Sequence, residues 1–331
     1  MLAGRWAIAT AAAIGIAGAA LGNDSTAETG AGGLVLQRTD AIDMVSEDLF
    51  ISADQVRVRY VFRNRTPKEV ETLIAFPMPG RDLAALDEGD VAFPSGFKTS
   101  VEGRPVIARL ERKAIAKGKD QTALLARLGI PLVPDAKRGT SPIIAALDRL
   151  PPEHKARLHA MGLVRGEPYS DHGKVAGVHL LPQWTVQDAW FWRQRFPPGH
   201  DLHVEHAYRP GTGGSVDSVF AHPELRNRAE GLRAAELFCV DGAFLAGVDG
   251  LRARNPAGLP EKRVSYVLST AANWRSPIAA FRLVVDKGRP ANIVSFCGGG
   301  VKKLGPTQFE VKYRNFRPMR DFHVLILEPR G

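Results

Sequence analysis

Seven residues, His200-Asp201-Leu202-His203-Val204-Glu205-His206, carry three imidazoles and two carboxylates. These are the usual ligands of divalent metal ions. The Pro197-Pro198-Gly199 start and Val204 favour a strand over a helix. Asp201, His203 and Glu205 then share one face, and Leu202, Val204 and His206 the other. A metal would need a further ligand from a neighbouring strand. The competing reading is a solvated face opposite an apolar one. His154 and His159 are five residues apart, about 140° around a helix, whereas a metalloprotease helix spaces its histidines by four. Ser170-Asp171-His172 holds the residue types of a hydrolytic triad in a row, but a triad is assembled in space and sequence neighbours cannot relay its hydrogen bonds. Gly213-Gly214-Ser215-Val216-Asp217 fails the nucleophile-elbow pattern, and Gly298-Gly299-Gly300-Val301-Lys302-Lys303 fails the P-loop. No catalytic residue and no cofactor follows from these motifs. Cys239 and Cys297 are the two cysteines of the chain. In an exported protein they read as a disulfide, with a buried free pair or a catalytic thiol as alternatives.

Those residues must be placed by strands. Gln55–Arg63 alternates Val56, Val58, Tyr60 and Phe62 against Arg57, Arg59 and Arg63, a half-buried antiparallel strand. Asn64-Arg65-Thr66-Pro67 turns it into Glu69–Phe76, which Pro77 and Pro79 end. Phe97–Val101 and Val106–Leu110 flank Glu102-Gly103-Arg104-Pro105, another hairpin signal. Short helices are expected after Asp120, after Thr140 or Ser141, and over Pro152–Met161. Strands return at Val178–Leu181, Ala189–Phe196 and Leu202–Tyr208. Pro223–Phe238 and Gly242–Arg254 look helical, the second capped by Asp241. Val264–Ser269, Ile278–Asp286, Ala291–Phe296, Gln308–Tyr313 and Phe322–Leu327 are expected strands. Trp190 and Trp192 share a strand face and read as core filling rather than as a sugar platform. Gln55–Pro77 and Gln308–Glu328 share a strand, Asn, Pro, strand order, from duplication or from common hairpin grammar. The fold expected is mainly β with α insertions. Residues 1–22 are a signal peptide and 23–118 an N-terminal antiparallel β-sandwich. Residues 119–175 form a short helical insert and 176–331 a C-terminal β-rich, sandwich-like domain with a helical insertion.

The chain of 331 residues is 44% hydrophobic and 24% charged, which excludes a disordered protein. Met1–Gly22 has Arg5, then an uncharged apolar run from Trp6 to Ala20, then small residues at Ala20 and Gly22. That is an export signal cleaved before Asn23, too short to span a bilayer. Asn23 in place of a cysteine excludes lipidation. The expected location is periplasmic or secreted, with no transmembrane segment after cleavage. Net charge is +9. Residues 101–140 hold nine basic against four acidic residues, a net of +5. Arg109, Arg112, Lys113 and Lys117 are the candidate surface there for an anionic envelope component or a periplasmic protein. An Arg-biased composition gives the same count without a partner. Nucleic acid is excluded as a partner because export removes it.

Asn23-Asp24-Ser25, Gly32-Gly33-Leu34, Ser46-Glu47-Asp48-Leu49 with Ile51-Ser52, and Phe76-Pro77-Met78-Pro79 resemble a family of bacterial secreted proteins, domain of unknown function 4424. Tyr208-Arg209-Pro210 after a histidine, Asn273-Trp274 before Pro277-Ile278, and the positions of Cys239 and Cys297 fit the same resemblance. It implies a periplasmic or extracellular protein and carries no activity. Within Gln55–Gly118, Tyr60, Asn64, Glu69, Phe76-Pro77-Met78-Pro79, Val101-Glu102-Gly103 and Glu111-Arg112-Lys113-Ala114 resemble the β-sandwich (VIT-like) that precedes the von Willebrand A domains of inter-α-trypsin-inhibitor heavy chains. The D-x-S-x-S metal site of those A domains is missing, so their adhesion role is not implied. The function expected is a non-enzymatic binding or structural protein. The alternative is a metal-dependent enzyme or metal-binding protein using Asp201, His203 and Glu205.

Overall fold

The computed structural model describes residues 24–30, 33–85, 93–135, 137–138, 141–171, 174–255 and 258–329. The expected signal peptide, its cleavage point before Asn23, Thr140 and His172 lie outside the described residues. The protein is mainly β with α insertions. Its largest sheet has eight strands in the spatial order Lys302–Lys303, Gln308–Phe316, Ile278–Asp286, Ile42–Ile51, Val56–Asn64, Asp201–Arg209, Ser95–Val101 and Arg104–Val106. Ile278–Asp286 runs parallel to Ile42–Ile51, and the other neighbours are antiparallel. A seven-stranded sheet orders Lys119–Asp120, Arg109–Ala116, Thr185–Phe196, Val70–Pro77, Ser25–Gly30 and Gly33–Gln37, with Arg81–Asp82 also on Thr185–Phe196. A four-stranded sheet orders Gly213–Ser215, Glu261–Tyr266, Phe322–Leu327 and Ile293–Phe296. Val164–Asp171 and Lys174–Pro182 make a separate hairpin.

One core joins the three larger sheets. The period-two strand Val56–Asn64 turns Val56, Val58, Tyr60 and Phe62 inward. They meet Ile74, Phe76, Trp192 and Phe196 of the seven-stranded sheet and Val264, Tyr266, Val324 and Ile326 of the four-stranded sheet. Strands of 23–118 and of 176–331 therefore interleave in both large sheets, and hydrogen bonding runs across the sequence boundaries at 118 and 176. The short helices Thr122–Arg127, Ser141–Asp148 and Pro152–Ala160 have too little apolar face to stand alone. They close a second core around Leu125, Ile143, Leu147, Leu158 and Trp184. Ala229–Phe238 and Gly242–Arg252 pack on the four-stranded sheet through Phe238, Phe244, Val248 and Leu325. Asp241 caps the latter, its Oδ1 accepting from the Phe244 amide at 2.7 Å.

The structure departs from the expected elements in four places. Val106–Leu110 is not one strand: the chain leaves the eight-stranded sheet after Val106 and joins the seven-stranded sheet at Arg109. The helix expected over Pro223–Phe238 breaks between Arg226 and Ala229. There Gly231 sits so close to the Leu225 and Arg226 carbonyls that a Cβ would lie 2.4 Å from the former. Asp120 stands one residue before the cap position, its Oδ1 accepting from the Thr122 amide at 2.8 Å. The stretch 23–33, whose polar, Gly-rich composition suggests an extended lead-in, contains the strand Ser25–Gly30, with Asp24, Ser25 and Thr26 buried. The two corners that echo each other both carry the chain from the eight-stranded sheet to a facing one. Their asparagines differ: buried Asn64 donates to the Lys68 and Phe196 carbonyls, whereas exposed Asn315 supplies a positive φ of 48°.

Candidate functional site

Asp201, His203 and Glu205 do share the outer face of their strand, but they do not converge. Arg63 on the adjacent strand donates Nε and Nη2 to Asp201 at 2.5 and 2.6 Å. That bond holds the Asp201 carboxyl below its ordinary range. His203 faces Glu102, whose Oε1 accepts from the His203 amide at 2.6 Å and lies 3.2 Å from Nδ1. Glu205 pairs with Arg59 at 3.4 Å. Each acid is taken by a cation or amide across the strand. Among the described residues no group of three or more His, Cys, Asp and Glu side chains is disposed to hold a metal ion.

The four basic candidates do not make one surface either. Along Arg109–Ala116 side chains alternate, so Arg112 points oppositely to Arg109 and Lys113. Arg112 donates Nε and Nη2 to buried Asp188 at 2.7 and 2.6 Å. Lys113 donates to the Leu34 carbonyl and pairs with Glu111. Arg109 and Lys117 remain exposed, on separate elements. Cys239 and Cys297 form the disulfide, with Cα atoms 5.0 Å apart. Cys239 ends the Ala229–Phe238 helix in a left-handed conformation, and Cys297 follows the Ile293–Phe296 strand, so the bond ties that helix to the four-stranded sheet.

His206, on the face read as apolar, is the buried polar centre of the molecule. It is 0% exposed, with Nε2 3.1 Å from an oxygen of Asp24, also 0% exposed. Burial raises the Asp24 carboxyl and His206 partly offsets it. Trp274 Nε1 donates to the Asp24 carbonyl at 2.7 Å. The Tyr60 and Tyr266 hydroxyls are 2.8 Å apart, and Tyr266 reaches Glu47 at 3.3 Å. Burial lifts both phenols well above their ordinary range, so both stay protonated donors.

A cavity of about 420 Å³ opens beside this centre, at the edge strands Ser95–Val101 and Arg104–Val106, within the size range of small-molecule sites. Phe97 and half-buried Trp190 supply its aromatic wall, stacked at 5.0 Å and 10°. Phe97 also stacks on His206 at 5.3 Å. Thr99 lines the cavity and stands opposite His206 in register. Lys98 and Glu205 are at the rim. Thr99 Oγ1, His206 Nδ1 and the Tyr208 hydroxyl are buried with no hydrogen-bond partner. Unpartnered buried polar atoms are uncommon, each costing about 1–3 kcal/mol, and these three are closed off from the cavity as well as from solvent. Trp192, two residues from Trp190, is core as expected.

The comparisons with known proteins say little about chemistry. No curated protein matches the chain. A solved structure from Legionella pneumophila, provisionally described as a nutrient binding protein, is similar at 18% identity and a TM-score of 0.43. The alignment covers 92% of this chain and 72% of that one. The likeness of Gln55–Gly118 to the heavy-chain sandwich finds no support, since its strands pair with Thr185–Phe196 and Asp201–Arg209 in two different sheets. The profile described as Domain of unknown function (DUF4424) matches residues 22–325, and the chain belongs to that family.

Proposed function

We propose that the protein is exported, loses residues 1–22, and acts as a non-enzymatic binding protein whose ligand sits in the cavity over Phe97 and Trp190. The observation that carries this reading is a cavity of small-molecule size walled by the stacked Phe97 and Trp190 rings, with Lys98 and Glu205 at its rim. The ligand is a small molecule with one flat apolar face for the rings and polar groups for Lys98 and Glu205. Export is supported by the disulfide, which persists in oxidising compartments. No helix among the described residues is long and apolar enough to cross a membrane.

The test is a thermal-shift and calorimetry screen against free amino acids, mono- and disaccharides, and small aromatic acids. A compound at about 100 times its Kd adds roughly 2.7 kcal/mol, several degrees in Tm for a chain of this size. A stabilising compound should lose about tenfold in affinity in Lys98→Ala and more in Trp190→Ala. Binding that survives both substitutions, or a screen without a single stabilising compound, sinks the reading.

A further inference from the structure

A second hollow lies on the opposite flank of the eight-stranded sheet, between Gln308–Phe316, Ile278–Asp286 and the first residue of Phe322–Leu327. Its volume is about 390 Å³. The walls are apolar and aromatic. Phe316 lies 4.7 Å from Phe281 and 4.8 Å from Tyr313, centroid to centroid, and Phe281 and Tyr313 are nearly parallel at 6.1 Å. The Tyr313 hydroxyl accepts from the Gly299 amide at 2.7 Å, which fixes the glycine turn at the side. Val311 and Phe322 complete the lining.

The mouth is basic. Arg317-Pro318-Met319-Arg320 forms its lip, with Met319 86% exposed. Arg317 and Arg320 are exposed; Arg317 Nη1 donates to the Ala272 carbonyl and Arg320 Nη2 to Cys239 Sγ, each at 3.4 Å, and neither has a carboxylate partner among the described residues. Asp321, the adjacent acid, also lines the hollow, but its Oδ1 is taken up by Ser269 Oγ at 2.5 Å and by the Leu268 and Ser269 amides at 3.3 Å. Glu310 is held by Arg282 and Lys312. Over residues 298–321 six basic side chains stand against two acidic ones. An apolar hollow with two guanidiniums at its lip that pair with no described carboxylate is complementary to one kind of molecule. Guanidinium binds carboxylate, sulfonate or phosphate oxygens in pairs, and an exposed methionine adapts to irregular apolar surface.

We propose that this hollow binds an amphipathic anion, with an acyl chain or flat apolar body against Phe281 and Phe316 and its single acidic head between Arg317 and Arg320. The site is separate from the Phe97 cavity and does not depend on it.

The test titrates the exported protein with dodecanoate below its micelle concentration, with dodecyltrimethylammonium as the cationic comparator. One dodecanoate per chain should bind, at least tenfold tighter than the cation. Arg317→Gln with Arg320→Gln should weaken it tenfold or more. Met319→Asp, at a position too exposed to affect folding, should weaken it as well. Trp190→Ala should leave it unchanged. Flotation on phosphatidylglycerol vesicles separates the two sources of such a ligand. Dodecanoate binding without flotation supports the site and assigns it to a free amphiphile. Dodecanoate binding with flotation that the arginine variant loses supports it and assigns it to bilayer lipid. Equal binding of both amphiphiles, no dodecanoate binding, or full affinity in the arginine variant overturns the proposal.

Discussion

Removing one partner of the Asp24–His206 pair should be the most damaging small change available in this chain. Both side chains are 0% exposed, and the imidazole is ringed by Tyr60, Phe76, Phe97 and Trp192 at 4.8 to 5.7 Å. Water cannot replace the lost partner without opening the core. Breaking a buried pair from one side costs about 3–5 kcal/mol, a large share of a domain's total of about 5–15. Asp24→Ala and His206→Ala should each lose that much. Asp24→Leu with His206→Phe, which removes both polar groups at once, should cost far less than the sum. Asp24→Asn adds a pH test. Burial sets the folded Asp24 pKa above the unfolded one, so its contribution is fully present below about pH 3.9 and is lost as pH rises through the folded value. The Asn variant should therefore gain on the wild type as pH rises from about 4. The assay is urea unfolding followed by tryptophan fluorescence. Additive single losses, or an Asp24→Ala cost below about 1 kcal/mol, would refute the reasoning.

Cys239→Ser with Cys297→Ser opens a closure of 58 residues, for which chain entropy gives about 4 kcal/mol, read as a lower Tm that reductant reproduces in the wild type. An unchanged Tm would contradict it. Arg112→Glu turns a two-bonded ion pair with Asp188 into a like-charge contact and should lose at least about 2 kcal/mol, whereas Arg109→Glu and Lys117→Glu should melt as the wild type does. Zinc at modest excess should not shift the melt, because Asp201 would have to leave Arg63 first. A stabilisation by zinc that His203→Ala abolishes would restore the metal reading.

What the sequence disclosed depended on whether its signal was local. Ile278–Asp286 and Phe322–Leu327 lie where their apolar runs put them, and the two cysteines form the expected disulfide rather than a buried free pair or a catalytic thiol. Alternation also placed Asp201, His203 and Glu205 on one face. Whether that face had a ligand or three cross-strand partners was decided by Arg59, Arg63 and Glu102, which are distant in sequence. The same holds for His206. Beside Leu202 and Val204 it reads as one polar residue on an apolar face, and its partner Asp24 is 182 residues away in a stretch too polar and Gly-rich to suggest a strand. Charge counting favoured residues 101–140 because it cannot see Asp188 under Arg112. Lys312, Arg314, Arg317 and Arg320 interleaved with Tyr313, Phe316 and Met319 were a denser signal, visible without a structure.

The binding account rests on the cavity over Phe97 and Trp190. The most direct measurement is a high-resolution crystal structure of the protein purified from its native host. The account predicts non-protein density in that cavity, flat against the Trp190 indole and between Lys98 and Glu205. A cavity filled by repacked side chains, or by water and nothing else, would contradict it.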